Sequence, residues 1–365
     1  MLKRTLTAAA FGLAAMAMGQ TALAAGEVRI YNWSDYIDES ILADFTKETG
    51  IKVVYDVFDS NDILETKLLA GSTGYDLVVP TGIFLSRQIQ AGVFQKLERS
   101  QLQNIKFMWP QIEARTAKLD PGNAYSINYM WGTTGIGMNV DKVKAALGPD
   151  VKLDSWAVLF DPKNAEKLAS CGIFMLDAAE EVIATALNYI GENPDAKDAA
   201  VIEKAEAVLM PIRPFVQKFH SSEYINALAN GDICIALGWS GDMFQAQARA
   251  QEAKNGVNIQ YVIPKEGALM WFDQMAIPKD APNLANAHKF MNYIMRPEVI
   301  AKATNYVLYA NGNLASQAYI DKAVLEDPAI YPTPEVVEKL FTQTPYGPRE
   351  QRVLTRLWTK IKTGQ

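Results

Sequence analysis

The sequence predicts an α/β protein of two lobes, with a ligand cleft between them at the carboxyl ends of its strands. Three observations lead there. From residue 27 onward, short apolar strands alternate with amphipathic helices. The 365 residues exceed what one hydrophobic core usually supports, so two cores are expected. No Pro/Gly-rich linker separates the halves, so the chain should cross between lobes more than once. The expected division is 26–132 with 254–313 in the first lobe, and 133–253 with 314–365 in the second.

The elements follow in order. VRIYNW (28–33) reads as a strand, and Asp38 caps a helix with Ile41, Leu42 and Phe45 on one face, ended by Gly50. KVVYDVF (52–58) is a second strand, and Asp59 or Ser60 caps a helix running to Gly71. DLVVP (76–80) is a third, with a helix from about Phe84 to Ala91. This rhythm implies parallel strands joined by crossover helices. After a loop-rich stretch, TTGIGMNV (133–140) and CGIFML (171–176) are strand-like, with short helices at 155–160 and 165–169 between them. Helices follow at 179–190, 195–210 and 221–230, then the strand DICIALGW (232–239) and a helix over 242–255. VNIQYVIP (257–264) and LMWFDQMAIP (269–278) are expected to pair as strands. Helices near 284–295 and 297–306 and a broken helical segment over 334–361 complete the chain.

Residues 1–24 read as a secretory signal peptide. Lys3 and Arg4 precede an Ala-rich apolar run, and Ala22-Leu23-Ala24 has the small-x-small cleavage pattern. No cysteine follows it to carry a lipid, and no later stretch is apolar enough to anchor in a membrane. Cleavage near Ala24 removes two cations and no acids, taking the formal charge from −6 to 33 − 41 = −8. That acid excess excludes nucleic acid as a partner, because duplex binding needs a basic face. With only His220, His288, Cys171 and Cys234 of those types, no metal-binding cluster is expected. An exported chain with two cysteines has a disulfide as its first reading, with two buried thiols as the alternative.

Five places combine acids or polar groups with aromatics where strands end. They are Trp33-Ser34-Asp35-Tyr36, Ala179-Glu180-Glu181, Trp239-Ser240-Gly241-Asp242, Trp271-Phe272-Asp273 and Tyr309-Ala310-Asn311. Any single one reads as a helix cap, but their recurrence suits capture of an elongated organic cation. Carboxylates accept charge-assisted hydrogen bonds from terminal ammoniums, and aromatic faces contact the methylenes and attract the charge. Catalytic readings are weaker. His220-Ser221-Ser222 lacks a nucleophile elbow and reads as a helix start, while TTGIG (133–137) lacks the phosphate-loop spacing. Glu180 and Glu181 are adjacent, so on a helix they point apart.

Longer stretches resemble the periplasmic polyamine-binding proteins that deliver putrescine or spermidine to ATP-driven importers. They include IYNWSDYI (30–37), TGIKVVYDVFDSN (49–61), LAGSTGYDLVVP (69–80), MWGTTGIGMNVDKV (130–143), HSSEYINALANGDICIALGW (220–239), IPKEGA (263–268) and YANGN (309–313). The resemblance implies a class II periplasmic-binding-protein fold, no cofactor, no catalysis, a periplasmic monomer and a membrane permease of an ABC importer as partner. It implies ligand contacts from Trp33, Ser34, Asp35 and Tyr36. Glu181 would meet one end of the ligand and Asp242 and Asp273 the other, with Trp239, Trp271 and Tyr309 boxing the methylenes. It also implies a Cys171–Cys234 disulfide.

Two positions depart from the putrescine-type pattern. The loop after the third strand reads Pro80-Thr81-Gly82-Ile83-Phe84, where Thr81 keeps a hydroxyl, and Trp271 stands where putrescine-type members carry Phe. The larger indole is expected to favour spermidine, with putrescine the alternative. A secreted polyamine-modifying enzyme would need a flavin fingerprint, copper ligands or an activated nucleophile, and none is visible. An amino-acid receptor usually needs an Arg for the ligand carboxylate, and none lies in the five clusters.

Overall fold

The computed structural model describes residues 26–365, so the expected signal segment lies outside the described residues. Ten strands form one continuous sheet: β1 (Glu27–Trp33), β2 (Lys52–Phe58), β3 (Leu77–Val78), β4 (Ser126–Asn139), β5 (Ile173–Met175), β6 (Lys218–Phe219), β7 (Ile235–Trp239), β8 (Ile259–Val262), β9 (Leu269–Ala276) and β10 (Ala310–Asn311). The order is β2-β1-β3-β9-β4-β7-β5-β6, with β8 and β10 also on β4. β2, β1 and β3 run parallel at one end and β7, β5 and β6 at the other, each set fed by crossover helices. The antiparallel strands β4 and β9 join the two sets.

β4 is the spine, and it is longer than the expected 133–140 strand. Its first half pairs with β9 on one edge and β10 on the other; its second half pairs with β8 and β7. The expected pairing of the 257–264 and 269–278 strands with each other does not occur. The two lie end to end along the same edge of β4, and β4 satisfies the backbone of both. A bulge at Asn128–Met130 interrupts the β4–β9 ladder, and the Asn128 amide closes it by donating to the carbonyls of Met130 and Asp273.

Two apolar cores flank this spine. One gathers residues of 28–130 and 269–309, including Ile30, Phe45, Leu64, Val78, Ile277 and Phe290. The other gathers chiefly residues of 131–272 and 310–361, including Ile136, Trp156, Ile183, Leu237 and Leu354. Ile259 and Tyr261 of β8 pack in the second core, and Leu269 of β9 packs in the first. The outgoing switch falls inside β4.

Local chemistry explains most helix ends. Asp38 accepts from the Ser40 amide to cap Glu39–Thr49, and Ser60 rather than Asp59 caps Asn61–Ala70. His220 opens the next candidate helix: its Nδ1 accepts from the Ser222 and Glu223 amides, although the regular turns span only Tyr224–Ala229. The expected 195–210 helix splits around a tighter turn at Glu203–Ala205. The C-terminal segment resolves into Pro334–Val337 and a long helix, Pro348–Thr363. Cys171 and Cys234 form a disulfide with Cα atoms 5.4 Å apart. The adjacent parallel strands β5 and β7 follow them directly in the chain.

Candidate functional site

Between the two cores lies a cleft of two adjoining chambers. One is lined by Trp33, Ser34, Tyr36, Thr81, Glu181, Trp239, Asp242, Trp271, Asp273 and Tyr309, together with Asp59, Ser221, Ser222 and Ile225. The second continues past Glu181 to Asp62, Glu180 and Gln343. Ten of the eleven candidate contact residues therefore face one space. Asp35 is the exception. It is exposed, holds a left-handed backbone (φ 55°), and pairs with Arg249 at 2.9 Å at the rim instead of lining the cleft.

On the first-core side, β1 ends at Trp33, whose indole N–H donates to the Val79 carbonyl at 2.8 Å. Its ring lies 4.6 Å from Phe58 and meets Trp239 edge-on at 5.5 Å, so two tryptophans touch across the cleft. Asp273 of β9 points into the same space. Thr81 donates to its Oδ1 at 2.7 Å and Tyr36 to its Oδ2 at 2.8 Å. Thr81 is in turn held by both ends of the Asn61 side chain, at 3.0 and 3.1 Å.

The facing wall supplies the other two carboxylates. Glu181, in the first turn of helix Ala179–Tyr189, accepts from Thr134 at 2.7 Å and from the Trp239 indole at 3.0 Å. Its neighbour Glu180 turns the other way, to Arg87 at 3.3 Å. Asp242 lies in the first turn of helix Ser240–Ala253 and accepts from Tyr309 at 2.7 Å and Tyr224 at 2.5 Å. Tyr309 stands between Tyr36 and Trp271, edge-on to both at 5.2 and 5.4 Å. Two glycines make that aromatic packing possible. A Cβ on Gly241 would lie 2.3 Å from the Tyr309 ring, and one on Gly132 would lie 2.7 Å from the Trp271 indole.

Glu181, Asp242 and Asp273 make no ion pair among the described residues. Their hydrogen-bond donors are neutral hydroxyls and an indole. Burial away from water therefore dominates: it pushes Glu181 up to about 7, Asp242 to about 6 and Asp273 to about 7, against the opposing pull of those donors. Glu181 is the least enclosed of the three, keeping part of its surface in water. Three such groups in one cleft, none paired with a cation among the described residues, would each be stabilised by an incoming positive charge.

The 40–333 portion of the chain matches the model of a family described as bacterial extracellular solute-binding protein. The chain belongs to that family. It is 52% identical over 354 residues to the putrescine-binding periplasmic protein PotF of Escherichia coli, covering 97% of this chain and 96% of the relative. It is 50% identical to the putrescine-binding periplasmic protein SpuD of Pseudomonas aeruginosa, covering 98% of each. Among solved structures, a putative spermidine/putrescine ABC transporter from Listeria monocytogenes superposes with a TM-score of 0.83 at 32% identity, over 93% of this chain and 99% of that one. These are solute-binding proteins, and the chain is a receptor of that kind rather than an enzyme. Among the described residues, no helix is long and apolar enough to cross a membrane.

Sequence reasoning missed Tyr224, Thr134 and Asn61, which hold the carboxylates or the hydroxyl in front of them. Tyr224 lay in a segment read as a helix and Thr134 in one read as a strand, and neither was given a role at the site. Nothing in their local sequence marks them, since each reaches its partner through a fold contact 18 to 47 residues away.

Proposed function

We propose that the protein is the periplasmic receptor of an ABC importer that captures a polyamine in this cleft and presents it to the membrane permease, with spermidine as the preferred cargo. The two cores act as the two lobes, hinged where β4, β9 and the segment entering β10 cross between them. The observation that carries the reading is the trio of cleft carboxylates, Asp242 and Asp273 buried and Glu181 half-buried, without a cationic partner among the described residues. Spermidine brings three positive charges, which match Glu181, Asp242 and Asp273 one for one. Trp33, Ser34, Tyr36, Thr81, Trp239, Trp271 and Tyr309 contact the methylenes and the ammonium hydrogens between them. Asp35 serves the closed rim through Arg249.

The energetics are reasonable. Micromolar binding of about ten non-hydrogen atoms needs about −0.8 kcal/mol per atom, which a closed, water-poor site with several charge pairs supplies and an open patch does not. A second reading, putrescine as preferred cargo, is favoured by the names of PotF and SpuD at 50% identity or more. It leaves one of the three carboxylates protonated or unmatched.

Calorimetric titration of the mature protein, stripped of bound ligand, with spermidine, putrescine, spermine, cadaverine and amino acids tests both. Heat from spermidine exceeding that from putrescine at equal dilution, with the tighter Kd, supports the triamine. Tighter putrescine binding transfers the proposal to the diamine, and no heat from any polyamine overturns it altogether.

A further inference from the structure

Tyr224 is fully buried and lies outside the residues that line the cleft, yet its hydroxyl makes the shortest contact to any of the three carboxylates. Three features hold it in place. Its Oη donates to Asp242 Oδ2 and accepts the Trp239 amide at 3.3 Å. Its ring covers Gly238, where a Cβ would meet it at 2.8 Å. The other Asp242 oxygen takes the Tyr309 hydroxyl, and that ring belongs to the opposite core. Asp242 thus receives one tyrosine from each core, and its remaining lone pairs stay free for a ligand.

We propose that Tyr224 is a positioning residue for the cargo, holding the Asp242 carboxylate ionised and aimed across the cleft so that an ammonium can be received. The proposal rests on the polyamine reading above. A neutral hydroxyl donor favours the charged form of its acceptor. The other groups facing Asp242 give it little help. Asp35, from the loop after β1, opposes its charge, as does Asp273 of β9, while Tyr36 is neutral. Arg249, on the same helix, favours its charge but is already paired to Asp35. Glu181 adds negative charge near Tyr224 itself. With burial against it as well, Asp242 depends on its two tyrosines to remain a carboxylate.

The test is spermidine affinity of wild type and Tyr224→Phe at pH 6 and pH 8, with thermal melts alongside. Losing the donor removes one of the two hydrogen bonds that hold the Asp242 carboxyl down, so it keeps its proton to higher pH. The variant should then bind about fivefold more weakly than wild type at pH 6 beyond any loss at pH 8. In an Asp242→Asn background the pH-specific loss should vanish. Equal losses at both pH values, or a pH-specific loss that persists without Asp242, would overturn the proposal. Should Tyr224→Phe fail to fold, 3-fluorotyrosine at position 224 keeps the hydroxyl as a stronger donor. It should tighten binding at pH 6 and leave pH 8 unchanged; no change at pH 6 counts against Tyr224. If wild type itself ignores spermidine and putrescine, the polyamine reading fails instead.

Discussion

Capture of a polycation by three carboxylates pushed up to about 6 or 7 in the empty cleft must displace protons. At pH 6, groups at about 7 are roughly nine-tenths protonated and one at about 6 is half protonated. If binding requires all three ionised, proton competition weakens it about elevenfold each for Glu181 and Asp273 and about twofold for Asp242. By pH 8 the same competition is nearly gone, while the ligand's terminal amines, titrating near 10 like lysine, keep their charge. Spermidine affinity should therefore rise about 200-fold, or about 3 kcal/mol, from pH 6 to pH 8. Isothermal titration at both pH values, each in two buffers of different protonation enthalpy, reads affinity and proton count together. About two protons should leave per ligand at pH 6 and well under one at pH 8. A cargo with two charges leaves one carboxylate protonated and so releases fewer protons. Affinities within twofold of each other, with heats that do not depend on buffer, would refute the reasoning, because the carboxylates would then already be ionised in the empty cleft.

Two further outcomes are expected. Trp271→Phe removes the larger face of the box and should shift the spermidine-to-putrescine affinity ratio toward putrescine; an unchanged ratio in the same titration places selectivity elsewhere. Replacing both Cys171 and Cys234 by serine frees a loop of 63 residues' separation and should cost about 4 kcal/mol in a chain-entropy account, read as a lower Tm. Ligand affinity measured well below that Tm should be unchanged, since neither cysteine lines the cleft.

What was legible in the sequence divides along physical lines. Strand and helix periodicity is local, so the β1 to β3 units, the Asp38 cap and the helix pair at 284–307 were readable directly. The recurrence of acids beside aromatics at strand ends pointed toward the cleft, but which members face it, and Thr81 outside those clusters, came only from the family resemblance. Pairing partners were not readable. β8 and β9 have the look of a hairpin, but β4 is long enough to offer both a place on one edge, and strand length is decided by the neighbours. Asp35 illustrates the same limit at the site. Its motif neighbours Trp33 and Tyr36 face inward, while a left-handed turn at Asp35 swings its carboxylate to the rim, where Arg249 meets it.

The acid excess of the chain matters mainly through where three charges lie, and those positions set stability against binding. Asp273 is raised from 3.8 to about 7, so between those values the folded, empty protein holds a proton that the unfolded chain releases. Stability therefore falls as pH rises through that window, by about 4 kcal/mol if the whole shift is expressed. Asp273→Asn removes the ionisation and keeps an acceptor for one of the two donors, Thr81 or Tyr36. At pH 8 the empty variant should be more stable than wild type by about 1–3 kcal/mol, the unsatisfied second donor reducing the gain. At pH 5, where Asp273 is already protonated, the advantage should disappear. Spermidine should bind the variant more weakly at pH 8, because one ammonium loses its charged partner. Thermal melts at the two pH values decide the matter: a variant that melts below wild type at pH 8, by the same margin as at pH 5, would mean that the folded protein already tolerates this charge. The gain in the empty protein and the loss in the loaded one have a single cause, a carboxylate kept dry until a cation arrives.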